Sequence, residues 1–177
     1  EKENGKMLDK TIVDLINTQI NKEFYSAYLY LNISNYYYDN NLNGFGNWFK
    51  VQAQEERDHA MLFIQYMQNN GCKIVLEPIA APTKEYSDFA EPLNDVYAHE
   101  QYVTKLIHNI YGEALNLKDF RTFQFLDWFV QEQGEEEKNA DDLIKRFELF
   151  GHEAKGLYML DSELAARVYS APSLVLD

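Results

Sequence analysis

Cysteine is nearly missing: Cys72 stands alone among 177 residues. That excludes an internal disulfide framework and any CxxC metal site. Glycine and proline are scarce, at 8 and 4 residues, which leaves little material for turns and implies few, long elements. No apolar run approaches the roughly 18 residues of a membrane span. The opening EKENGKMLDK has no secretory h-region, so a cytoplasmic protein is the expectation. Basic residues are also short: 16 Lys and Arg face 29 Asp and Glu, a formal net charge of −13. The acids are spread along the chain and do not form a tail. This argues against nucleic acid and anionic membranes as partners and for attraction of cations, with a merely solvated acidic surface as the plain alternative.

Hydrophobic residues at 46% and aromatics at 15% describe a globular chain, long enough to bury a core without metal or disulfide staples. Apolar residues recur at helical spacing through roughly 8–37, 43–70, 89–115 and 121–149, with no competing strand-like alternation. DNNLNGFG, NNG and NLKD supply the breaks. Pro78 and Pro82 forbid a helix in the long segment from Cys72 to Asp88. About 17 extended residues reach on the order of 55 Å, whereas a helix of about 27 residues is about 40 Å long, so this segment can run the length of a bundle. The expected fold is all-α: a four-helix bundle with a long crossover between helices 2 and 3. A short fifth helix is expected at 157–168 after the break GHEAKG, followed by a tail at 169–177, with 1–177 as one domain. The tail has no usable periodicity and is expected to be disordered or to dock on another subunit.

Each long helix interrupts its apolar stripe near its midpoint. Glu23 falls within Ile12, Ile16, Ile20, Ala27 and Leu31, with Tyr30 further along the same face. Glu56 is central to Phe45, Phe49, Ala60, Phe63 and Met67, and His59 follows one turn later. Leu93, Val96, Val103, Ile107 and Ala114 surround Glu100; Leu126, Phe129, Ala140, Ile144 and Phe147 surround Gln133 and Glu136. Any one of these could be a core residue satisfied by a neighbour. All of them together meet at one height of a bundle, and buried carboxylates without counter-charge are prohibitively costly. The stripes contain no Lys or Arg, so a cation must come from outside. Carboxylates with one imidazole suit a pair of iron or manganese ions; zinc is admitted, and the histidine disfavours calcium or magnesium. Glu55 and Glu132 point from the edge of the core, with Glu135 further out. Spacing alone leaves a further cation site and a solvated acidic face both open for Glu55, Glu132, Glu135 and Glu136.

The segments EFYSAYLY at 23–30, QEERDHA at 54–60, HEQYVTKLI at 99–107, FLDWFVQEQGEEE at 125–137 and GLYMLDSEL at 156–164 resemble the bacterial-type non-haem ferritins. The likeness covers roughly residues 6–167 in the family's order and spacing. It implies a ferroxidase that oxidises Fe(II) to Fe(III) at a di-iron centre, with dioxygen or hydrogen peroxide, and stores ferric mineral in a homo-oligomeric shell of 24 subunits. By motif it implies one iron site at Glu23, Glu56 and His59, and another at Glu56, Glu100 and Glu136, with Gln133 and Tyr30 beside the pair. It further implies a third iron site at Glu55, Glu132, Glu135 and Glu136. Related haem-binding and rubredoxin-bearing families would place a second ExxH where this chain reads Gln133-Gly134-Glu135-Glu136. Arg57 stands where a haem-ligating methionine would follow Glu56, so no haem is expected. The function alternatives are a ferritin-like di-metal oxidase or peroxidase without storage, and a metal-free structural bundle. Gly134 departs from the family pattern and is expected to loosen the helix beside Glu135 and Glu136.

Overall fold

The computed structural model describes residues 7–177; residues 1–6, and with them most of the opening read as lacking an h-region, lie outside the described residues. The elements are α1 Lys10–Asp39, α2 Asn43–Asn69, α3 Glu91–Asn116, α4 Phe120–Phe150 and α5 Ala154–Leu164, with no strand among the described residues. The starts have local causes. Asp9 accepts from Thr11 N, Asp119 from Thr122 N and Glu153 from Gly156 N, each satisfying an otherwise orphaned first-turn amide. Pro92 occupies the first turn of α3, where its missing N–H costs nothing. The links after α1 and α3 turn through left-handed residues, Asn41 at φ 60° and Lys118 at φ 52°.

Short links make α1 and α2, and then α3 and α4, antiparallel pairs. The long crossover is laid along α1. Asn17 Nδ2 donates to Lys73 O and Asn17 Oδ1 accepts from Val75 N; one turn on, Asn21 Nδ2 donates to Glu77 O and Pro78 O. Tyr37 OH then donates to Phe89 O near the far end. These bonds satisfy an extended backbone that has no partner strand, and they return the chain to the far end of α1 before α3 begins.

The apolar interior is split in two. One cluster gathers Ile12, Ile16, Ile20, Phe63, Met67, Val103, Ile107, Leu126 and Phe129. The other gathers Tyr30, Ile33, Tyr37, Phe45, Phe49, Leu93, Val96, Leu143 and Phe147, closed by Leu160 and Leu164 of α5. Every bundle helix passes from one cluster to the other through a buried polar stretch: Glu23 and Ser26 on α1, Glu56 and His59 on α2, Glu100 on α3, Gln133 and Glu136 on α4.

Three expectations are corrected. Leu31 is 42% exposed and Ala27 only half-buried, because the buried arc of α1 is centred on Glu23 and Tyr30; Leu31, about 100° further round, turns outward. The fifth helix begins at Ala154, where Glu153 caps it, and ends at Leu164, short of 168. The tail is ordered on its own chain: Trp128 Nε1 donates to Ser173 Oγ at 2.8 Å and Gln65 Nε2 to Leu176 O at 2.9 Å, while Leu174 and Leu176 pack on the first cluster. No described helix is long and apolar enough to cross a membrane.

Candidate metal centre

The carboxylates of Glu23, Glu56, Glu100 and Glu136 are at most 6% exposed. Taking each such charge out of water costs several kcal/mol unless a partner compensates. Among the described residues no Lys or Arg pairs with any of them; the one base against them is His59, whose Nδ1 stands 3.3 Å from Glu56 Oε2. Burial accordingly raises Glu23, Glu56 and Glu136 well above the ordinary glutamate range. The second cause is mutual repulsion, from Glu56 on Glu23 and from Glu100 on both Glu56 and Glu136. Glu100 is raised less, since two donors offset its burial: Tyr30 OH on one oxygen, and Gln133 Nε2 on the other at 3.1 Å. Tyr30 itself is raised well above its usual value, by burial and then by the Glu100 charge, and stays a protonated donor.

The side chains converge in three overlapping sets. Glu23, Glu56 and His59 each offer a ligand atom within 4.8 Å of the others; so do Glu56, Glu100 and Glu136, and so do His59, Glu132 and Glu136. Glu56 belongs to both buried sets, which is what a carboxylate bridging two ions about 3.5–4 Å apart requires. Two atoms betray a missing partner. Glu23 Oε2 and His59 Nδ1 are buried without a hydrogen bond among the described residues. Buried polar atoms are almost always satisfied, and a cation between these would satisfy both. Without metal, burial favours the protonated form of Glu23, which removes its uncompensated charge.

The edge is organised differently. Glu132 is half-buried, with Oε1 3.9 Å from His59 Nε2. Glu135 is exposed and joins none of the three sets. Glu55 is taken by an ion pair, accepting from Arg167 Nη2 at 2.6 Å.

Two buried amides escaped sequence reasoning. Gln19 Nε2 donates to Glu23 Oε1 at 2.9 Å. Gln52 Nε2 donates to Glu56 Oε1 at 3.1 Å and to Glu136 Oε2 at 2.7 Å. Each stands four residues before a buried glutamate, and that repeated Q-x-x-x-E on a core-facing stripe is the signal that could have found them. Arg167, which also donates to Gln52 Oε1 at 2.8 Å, carried no comparable signal. Gly134 lies inside unbroken α4, and a Cβ there would meet nothing within 4 Å, so no close approach explains it.

A family model described as a ferritin-like domain matches residues 13–150. The chain is 38% identical over 155 residues to a bacterial non-heme ferritin of Campylobacter jejuni, covering 88% of this chain and 93% of the relative. It is 37% identical over 163 residues to one from Staphylococcus saprophyticus, covering 92% and 98%. A solved open-pore ferritin from the archaeon Archaeoglobus fulgidus superposes with a TM-score of 0.90 at 39% identity, over 93% of this chain and 100% of that one. Helix order, the long crossover, the carboxylate–histidine layer and these matches agree: the chain belongs to the ferritin family.

Proposed function

We propose that the protein is an iron-storage ferroxidase: it binds Fe(II) in the polar layer, oxidises it and holds the ferric product as mineral inside a homo-oligomeric shell. The observation that carries this reading is the set of buried glutamates, unpaired by Lys or Arg among the described residues, arranged as two ligand sets that share Glu56. One ferrous ion takes Glu23, Glu56 and His59, the other Glu56, Glu100 and Glu136. Gln133 and Tyr30 fix Glu100 from either side, and Gln52 fixes Glu56 and Glu136. Held together, the ions release one electron each, so one acceptor takes a pair. Dioxygen with two protons then leaves as hydrogen peroxide; hydrogen peroxide as oxidant, with two protons, leaves as two waters. Hard anionic oxygens favour the more highly charged ferric product. Beside the pair, Glu132 and Glu136 begin a shallower iron position, for which the ferritin resemblance also names Glu55 and Glu135.

The rest follows the family: a shell of 24 subunits in the cytoplasm, with residues 1–177 acting as one domain. The net charge of −13 suits a protein that gathers cations and repels nucleic acid. The test adds Fe(II) aerobically to metal-free protein, follows ferric absorbance, then sizes the particle and measures its iron. A large particle that oxidises and retains many ions per subunit is expected, with rapid oxidation lost in Glu56→Ala. Slow, uncatalysed oxidation by a monomer would overturn the reading.

A further inference from the structure

The geometry points to Arg167 as a tethered cation that reserves Glu55 and keeps it out of the edge metal position. The inference rests on the iron-binding reading above, which it refines. Arg167 lies three residues beyond α5 and is fixed from several directions by one stretch of α2. Its Nη2 donates to Glu55 Oε2 at 2.6 Å and to Gln52 Oε1 at 2.8 Å, and its Nη1 to Trp48 O at 3.1 Å. The guanidinium carbon sits 4.1 Å from the centre of the Trp48 ring, and the Arg167 carbonyl accepts from Asn47 Nδ2 at 2.9 Å. Arg167 and Glu55 side chains are each only 20% exposed, so this is no loose surface pair. A planar guanidinium that cannot deprotonate is suited to hold that place over the whole working pH range.

Glu55 would otherwise be free to join the edge. It precedes Glu56 on α2, and the guanidinium that holds it also holds Gln52, which donates to Glu56 and Glu136, so it lies beside the polar layer. Yet the ligand atoms that converge at the edge are those of His59, Glu132 and Glu136, without Glu55. A divalent ion that recruited Glu55 would have to displace a guanidinium held at high effective concentration by its own chain. Glu55 thus acts as the anchor of the C-terminal arm and not as a metal ligand, and the edge position is left with fewer anionic ligands. The same guanidinium holds the Gln52 amide with its NH₂ turned to Glu56 and Glu136, so the arm is mechanically linked to the buried pocket.

The test is anaerobic calorimetric titration of full-length, metal-free protein with Co(II), which fills the sites without being oxidised. Wild type should show a tight pair of ions per subunit and a weaker edge ion. Arg167→Gln should tighten the edge ion by roughly tenfold or more, whereas Arg167→Lys, which keeps the charge but loses the planar fork over Trp48, should tighten it by less. Glu55→Gln alone should cost no edge affinity, and in the Arg167→Gln background it should abolish the gain. Particle size and helical circular dichroism report folding. If Arg167→Gln does not assemble, Glu55→Gln still decides: an unchanged edge ion supports the assignment and a lost one overturns it. An unchanged isotherm in folded Arg167→Gln also overturns it. Failure of wild type to bind the tight pair would instead defeat the iron-binding reading itself.

Discussion

At the scale of single residues, the site is defined by what its side chains lack. Among the described residues Glu23 Oε2 and His59 Nδ1 make no hydrogen bond, whereas Glu100 has one donor on each oxygen. Gln52 is the residue on which most depends without being a ligand, since its NH₂ holds Glu56 and Glu136 while Arg167 holds its oxygen. Gln52→Ala should weaken binding of the tight Co(II) pair about 10- to 100-fold, as loss of a ligand-orienting partner generally does. Titration calorimetry checks it, with unchanged circular dichroism excluding simple unfolding. The ligand types were legible in the sequence because a carboxylate on an apolar stripe is conspicuous. Gln19 and Gln52 were not, because glutamine is an ordinary helix former whose burial shows only once its neighbour is placed. Arg167 was illegible for another reason: its contacts on α2 are more than a hundred residues away in sequence.

At the scale of elements, the four long helices could be read because each carries a long stripe at one period, and their observed ends fall close to the expected ones. Short α5 was harder to bound. The glycine-flanked GHEAKG looks like a break, yet within it Glu153 turns its carboxylate onto Gly156 N and starts the helix. Gly156 is needed there, since a Cβ would stand 2.3 Å from Phe150 O, and Gly44 is needed where α5 crosses α2, since a Cβ would stand 1.7 Å from Asp161 O. Gly134 has no such reason. Nothing lies within 4 Å of its missing Cβ, and it sits inside α4. Gly134→Ala should therefore stabilise the protein by roughly 0.5–1 kcal/mol through helix propensity and a stiffer unfolded chain. Chemical denaturation of metal-free protein measures this, and a loss of stability would show that the glycine has a packing role.

At the scale of the whole molecule, a polar layer divides the bundle core into two apolar halves, so metal and stability are coupled. The buried glutamates have folded-state values raised above the ordinary 4.5. A raised acid binds more protons folded than unfolded, so stability falls as pH climbs. The metal-free protein should therefore lose stability as pH rises from about 4.5 through those raised values, and the loss should be complete above them. Thermal unfolding against pH tests this; Glu23→Gln with Glu136→Gln should flatten the slope. A divalent ion should abolish it, releasing protons as it binds. A stability that instead rises over the same window would mean the layer is stabilised by its own charges.

The most direct measurement is anomalous X-ray scattering at the iron edge from crystals of the protein soaked with Fe(II) without oxygen. Expected are paired peaks in the polar layer about 3.5–4 Å apart, one among Glu23, Glu56 and His59, the other among Glu56, Glu100 and Glu136, with Glu56 between them. An empty layer, or iron found only on the outer acidic surface, would contradict the assignment of this layer as the di-iron centre.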